Sequence, residues 1–305
     1  MSLTRRDLLG SAVALCMEQS HATDASPTSE WFSRDGSVDG APQSDFQFGT
    51  LNGRGQAWAS HNCGQAHACR VLPDADPAQT LRLELRSGEQ WPDEAKLALH
   101  VERTMVEAMA ARRSNQPQYL PMSQEIWWSF SFLLEPGPAI QSLGRGYDWL
   151  IFADIHSDWA SSHARAVPIK FELAPGDIFD VQLHGSVLHP DNSDNIVYRD
   201  SAPLRRGTWH DLVLQIVMDP TNAHGDGGAN VYLDGERVVT YAGALGFVGD
   251  NPYPQLQIYR DNPDIRRLKH ETVALRYANH EIVTSGNLLG RVSKAPAMPQ
   301  GVRQL

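Results

Sequence analysis

The sequence predicts an all-β fold, a jelly-roll sandwich of two antiparallel sheets. Three observations carry this. Strand-length segments rich in β-branched and aromatic residues recur from about residue 45 to 290, separated by Gly, Pro, Asn and Asp. Several of them alternate apolar and polar residues with the period of a half-buried strand. Only residues 92–114 show helical spacing, and within them LALHVER also alternates. No internal repeat is present, so the expectation is a single domain over 46–300.

The elements follow in chain order. Residues 3–17, LTRRDLLGSAVALCM, pair Arg5 with Arg6 ahead of a short apolar run. This pattern resembles a twin-arginine export signal of the bacterial kind, with small residues for cleavage near Ala22 or Ala25. The expectation is a signal over 1–25, an irregular linker over 26–45, and export to the periplasm or beyond. LRLELR (81–86) turns Leu81, Leu83 and Leu85 to one side and Arg82, Glu84 and Arg86 to the other. EIWWSFSFLLEPG is aromatic and ends at Pro136 and Gly137. DWLIFADIH, VPIKFEL and IFDVQLHG are strand-length and follow one another closely. TWHDLVLQIVMD and ANVYLDGERVVTY form a long strand and a hairpin, turned by Asp234-Gly235. NPYPQLQIYRDN puts Tyr253, Gln255, Gln257 and Tyr259 on one face and Pro254, Leu256 and Ile258 on the other. ETVALRYANHEIV closes the series.

The chain has 305 residues, 41% of them hydrophobic, and a formal net charge of -10. That length supports a large core, and the acidic balance argues against a general nucleic-acid binder. No apolar run reaches the roughly 18 residues of a membrane span. An anionic ligand would need a local cluster of cations. Cys63 and Cys69 lie in HNCGQAHACR beside His61 and His67. A zinc site is one reading of that cluster. A disulfide between the two thiols is favoured, because an exported chain meets an oxidising compartment.

Three stretches could carry chemistry. Arg82 and Arg86 flank Glu84, which can orient their guanidiniums toward a bound carboxylate. Asp154 and His156 share a strand face, and a His is suited to proton transfer near neutral pH. Tyr253 and Tyr259 can serve as sugar-stacking platforms, or as acids where cations are near.

Together these stretches resemble the heparin-lyase-like and alginate-lyase-like polysaccharide lyases, which have concanavalin-like β-jelly-roll folds. Those families carry an Arg-x-Glu-Leu strand, a Gln-x-His strand and a Tyr-x-Lys-x-Gly-x-Tyr strand in that order. Here the matching positions are Arg82 to Leu85, Asp154 to His156, and Tyr253 to Tyr259, with HVERTMVE resembling a second Arg/Glu strand. The chain departs from the pattern at Asp154, Gln255 and Gln257, where the families have Gln, Lys and Gly. A literal Gln-x-His also occurs at Gln182 and His184, one segment later.

The resemblance implies β-elimination at a uronic acid of an anionic polysaccharide. It implies Arg82, Arg86 and Gln255 on the uronate carboxylate, and His156 and Tyr259 as the acid–base pair. Arg103, Lys170, Arg260 and Tyr253 would line the groove, with His184 as the alternative histidine. No metal or other cofactor is implied; calcium occurs in such sandwiches, but no carboxylate run here has the loop spacing of a calcium site. A monomer is expected. A glycoside hydrolase on the same sandwich would carry Glu-x-Asp-x-x-Glu on one strand, which is absent. A pure binding module would need no His/Tyr pair.

Overall fold

The computed structural model describes residues 45–72, 79–92, 95, 100–108, 119–142, 149–158, 167–186, 195–262 and 269–292. The expected export signal and all of the expected linker except Asp45 lie outside them.

Among the described residues, fifteen strands carry the fold. In chain order they are β1 (Asp45–Leu51), β2 (Arg54–His61), β3 (Cys69–Leu72), β4 (Thr80–Leu85), β5 (Val101–Glu107), β6 (Glu125–Leu134), β7 (Leu150–Asp158) and β8 (Ile169–Ala174). They continue as β9 (Ile178–Leu183), β10 (Ile196–Pro203), β11 (Trp209–Val217), β12 (Gly228–Leu233), β13 (Glu236–Ala242), β14 (Asn251–Asp261) and β15 (Val273–Val283). The helical spacing of residues 92–114 gives way to strand β5 over 101–107.

The strands form one hydrogen-bonded path, β10-β9-β8-β7-β14-β5-β2-β1-β15-β6-β11-β12-β13, with β4 joined to β15 and β3 to β4. The two separate sheets expected from the sequence are therefore two limbs of one sheet, joined at β1. Strand β1 pairs antiparallel with β2 and parallel with β15. Tyr and Phe side chains knit the limbs face to face. Phe132 on β6 meets Phe152 on β7 at 4.8 Å between ring centroids. The Tyr277 hydroxyl on β15 donates to the Phe152 and Gln257 carbonyls of the other limb.

One large apolar cluster fills the space between the limbs. It includes Leu81, Leu83 and Leu85 of β4, Trp128 and Phe130 of β6, Phe152 of β7, and Leu256 and Ile258 of β14. The period-two alternation read in LRLELR and YPQLQIY is the signature of strands with one face in this core. The Asp234-Gly235 hairpin forms as expected, both residues at positive φ, as a two-residue turn between twisted strands requires.

The expected disulfide is not formed, and both cysteines are free thiols. Cys69 lies on β3 opposite Leu83, with its side chain in the core. Cys63 belongs to the connection after β2 and turns toward Glu89. Burial pushes the Cys69 thiol up to about 12, and burial helped by Glu89 pushes Cys63 up to about 11.

Candidate active site

The outward face of the β8-β7-β14-β5-β2 limb is built of polar side chains. Strand register sets who meets whom. On β14, Tyr253 lies opposite His156 of β7, and Gln255 lies between Asp154 of β7 and Glu107 of β5. Asp154 in turn faces Lys170 of β8, and Lys170 faces Gln182 of β9. One row across five strands thus reads Gln182, Lys170, Asp154, Gln255, Glu107.

Hydrogen bonds tie this row together. Gln255 Nε2 donates to Glu107 Oε2 at 3.1 Å, and Gln257 Nε2 donates to Asp154 Oδ2 at 2.7 Å. His61 Nε2 lies 3.1 Å from the other Glu107 oxygen. Gln182 Nε2 donates to Glu172 Oε2 at 2.6 Å, and Lys170 Nζ lies 3.8 Å from Glu172 Oε1. Burial raises the Glu107 carboxyl, but His61, His156 and Arg103 around it outweigh that and hold it below the usual carboxylate range. Glu107 is therefore an anion, and it orients the imidazole and amide groups beside it.

His156 and Tyr253 make a histidine–tyrosine pair on this face. Their rings meet edge to face at 5.5 Å between centroids. His156 Nδ1 lies 3.9 Å from Asp154 Oδ2, and the His156 side chain keeps 18% exposure. Tyr253 is buried, with Tyr119 at 6.5 Å and Gln255 Nε2 at 3.5 Å from its hydroxyl.

The expected pairing of His156 with Tyr259 is not what the register provides. Tyr259 lies opposite Ile151 and Arg103, six residues along β14 from Tyr253, about 20 Å of strand. There the Arg103 guanidinium sits 3.9 Å from the Tyr259 ring centroid, and Trp149 meets the ring edge-on at 5.0 Å. Arg103 does lie on the expected face, but as a cap on an aromatic ring.

The expected arginine strand also falls elsewhere. Strand β4 pairs with β15 and β3, not with β14. Both β4 and β14 turn their leucines into the same core, so the Arg82 and Tyr253 faces point in opposite directions. Arg82 is bound to Glu135 at 2.8 Å and to Glu84 at 2.7 Å, and Arg86 to Glu84 at 2.6 Å. Glu84 orients both guanidiniums as the sequence suggested, on the other limb. Arg260 is buried, on the opposite side of β14 from Tyr259, with Glu102 at 2.6 Å. It lines no groove.

His156 and His184 do not lie on opposing faces. His184 follows β9, and its amide donates to Pro168 O at 2.9 Å. Alternation puts it on the side of Gln182, about 10 Å from His156 across β8. It is buried, whereas His156 keeps partial exposure.

Sequence reasoning did not place His61 or Glu107 in this group. Glu107 was legible as the end of the Arg103, Met105, Glu107 alternation; His61 had no signal beyond its place at the end of a strand.

A family model described as polysaccharide lyase matches residues 46–278, most of the chain. The chain belongs to the polysaccharide lyases. Among solved structures, the lyase is similar to the endo-β-1,4-glucuronan lyase of the fungus Trichoderma reesei. The two are 14% identical over 75% of this chain and 87% of that one, with a TM-score of 0.50. An alginate lyase from Pseudomonas aeruginosa is 14% identical over 70% of this chain and 86% of its own, with a TM-score of 0.46. At 14% identity the likeness to the fungal enzyme is one of fold alone. A search of curated protein sequences finds no match. No helix among the described residues is long and apolar enough to cross a membrane.

Proposed function

We propose that the lyase cleaves a uronic-acid polysaccharide by β-elimination, with His156 and Tyr253 as its acid–base pair. The observation that carries this is their cross-strand contact on a face of oriented amides and ionised Glu107. The base removes the C5 proton, and its electrons form the C4=C5 double bond. The C4–O4 bond breaks, and the acid supplies a proton to the departing O4. Charge spreads onto the uronate carboxylate during this step, so a donor aimed at that carboxylate lowers the barrier. Gln255 and Lys170, neighbours of Asp154 on either side, are assigned as such donors. His156, the more exposed partner, is assigned as base and Tyr253 as acid. Because Tyr253 is buried, the substrate must displace what covers it before O4 is protonated.

Arg103, Tyr259 and Trp149 lie further along the groove and suit an adjoining sugar, since an aromatic ring can stack on a pyranose face. The fold shared with the fungal enzyme makes glucuronan the first polymer to test. The export signal read at the N-terminus would place the reaction outside the cytoplasm.

The test incubates the purified full chain with glucuronan, alginate and heparin and follows the absorbance of the unsaturated uronate. A rise with one polymer supports the proposal. Retained binding to all three without any rise would overturn it.

A further inference from the structure

The connection after β2 and the turn between β4 and β5 bring a thiol, an imidazole and a carboxylate to one point. One ligand atom from each of Cys63, His67 and Glu89 lies within 4.8 Å of the other two, and all three residues are partly buried. His67 Nε2 and Glu89 Oε1 are 2.8 Å apart. We propose that Cys63, His67 and Glu89 form a site for a zinc-like divalent transition-metal ion, outside the candidate active site.

The donor set fits that chemistry. Sulfur, imidazole nitrogen and carboxylate oxygen are the three protein donors of zinc sites, and a site with three such ligands leaves the fourth tetrahedral position to a water or another ligand. Bonds of about 2.0–2.3 Å place tetrahedral ligands about 3.3–3.8 Å apart, so these side chains need only small adjustments around an ion. Calcium and magnesium favour all-oxygen shells and are disfavoured by the thiol.

The backbone around the ligands is already fixed. Gly64 N donates to Asn62 Oδ1 at 2.7 Å, and Ala68 N donates to Gln65 O, which folds the segment between Cys63 and His67 into a tight loop. Glu89 Oε2 accepts the Arg86 amide at 2.8 Å, leaving Oε1 directed at His67. Thr104 Oγ1 and the Glu84 amide both donate to Ala68 O, which pins the loop to β5 and β4. The carboxylate thus replaces the two partners that the sequence pattern offered. Cys69 is in the core, and His61 is bound to Glu107.

An ion there would clamp the two segments that flank His61. His61 precedes Cys63 by two residues, and its ring packs edge-on against Trp91, two residues after Glu89, at 4.7 Å. The ion would be structural in role and would steady His61 against Glu107.

The experiment uses the untagged full chain, reduced and freed of metal with a chelator, and titrates it with cobalt(II). One equivalent is expected to bind and to give a thiolate-to-cobalt charge-transfer band, which zinc then displaces. Cys63→Ser should lose that band, and Glu89→Gln should weaken binding at least tenfold. Zinc should raise the melting temperature of the wild-type chain and not that of Cys63→Ser. The proposal is overturned if the wild-type chain takes up neither ion at micromolar concentration, or if Cys63→Ser keeps the same band. Should Cys63→Ser fail to fold, the cobalt titration of Glu89→Gln decides the matter. None of these readouts depends on catalysis, so they stand apart from the lyase assay.

Discussion

Tyr253 and Tyr259 lie on the same face of the same strand and differ in their neighbours. Tyr253 touches the imidazole of His156, while Tyr259 carries the Arg103 guanidinium on its ring. The proton relay proposed above uses the first, whose ring meets that of His156. Tyr253→Phe is expected to lower kcat about 10²–10⁴-fold with little change in KM, the range for a positioned proton donor. Tyr259→Phe keeps the ring that Arg103 caps and should change kcat less than tenfold. Initial rates of unsaturated uronate formation measure both, and equal losses would move the chemistry away from His156. The sequence showed which side of β14 each tyrosine faces, because that follows from the period of two. It did not show which tyrosine meets His156, because register against β7 is set by long-range pairing and by the irregularity between Leu256 and Tyr259.

The same limit applies between elements. Both β4 and β5 carry an Arg and a Glu on one face, and nothing local in either shows which one pairs with β14. The structure puts β5 there and leaves β4 on the other limb. Arg82 is then a structural cation. Hydrogen bonds from Arg82 and Arg276 hold the half-buried Glu135 below the usual carboxylate range, against the burial that raises it. Arg82→Met should cost about 1–3 kcal/mol of stability, since Arg276 still pairs Glu135, and leave kcat/KM within about twofold. Arg260→Met should cost more, about 3–5 kcal/mol, because it removes the buried cation that pairs Glu102 and leaves that carboxylate only the Asn262 and Gly88 N–H groups. Urea unfolding of both variants beside the lyase assay checks the pair. A large loss of kcat/KM in a folded Arg82→Met protein would return β4 to the active site. The elements themselves were legible, because core-facing leucines and the Asp-Gly turn are local signals. The disulfide was misjudged for the opposite reason, since six residues of separation say nothing of which way two thiols turn.

At the scale of the whole molecule, the two limbs meet around β1, and that junction contains a buried titratable group. His280 on β15 accepts a hydrogen bond at Nε2 from Trp128 Nε1 of β6 at 2.9 Å. Its ring lies against Phe48 of β1 and Trp58 of β2. Gly49 passes so close that an added Cβ would come within 2.5 Å of His280, and its φ of 67° also favours glycine. Burial pushes the His280 imidazole down to about 3, so it stays neutral at neutral pH and can accept from Trp128. In the unfolded chain it would titrate near 6.5. As pH falls below 6.5, the unfolded state therefore binds a proton that the folded state does not. Stability should drop by about 1.4 kcal/mol per pH unit from this one group, until the pH approaches 3. Glu84, Glu107, Glu135, Glu271 and Asp234 are depressed carboxyls. Their contribution is present above the unfolded carboxylate range, near 4, and is lost as pH falls through their folded values. His210, raised by Asp234, has its contribution fully present below 6.5. From pH 6 to 5 the slope thus comes mainly from His280 among these groups. His280→Gln retains an acceptor for Trp128 but cannot titrate. Urea unfolding at pH 7, 6 and 5 should show the wild-type chain losing stability between 6 and 5 while the variant stays nearly flat, even if it starts lower at pH 7. Parallel losses in the two proteins would mean that the acid sensitivity of the junction lies in some group other than His280.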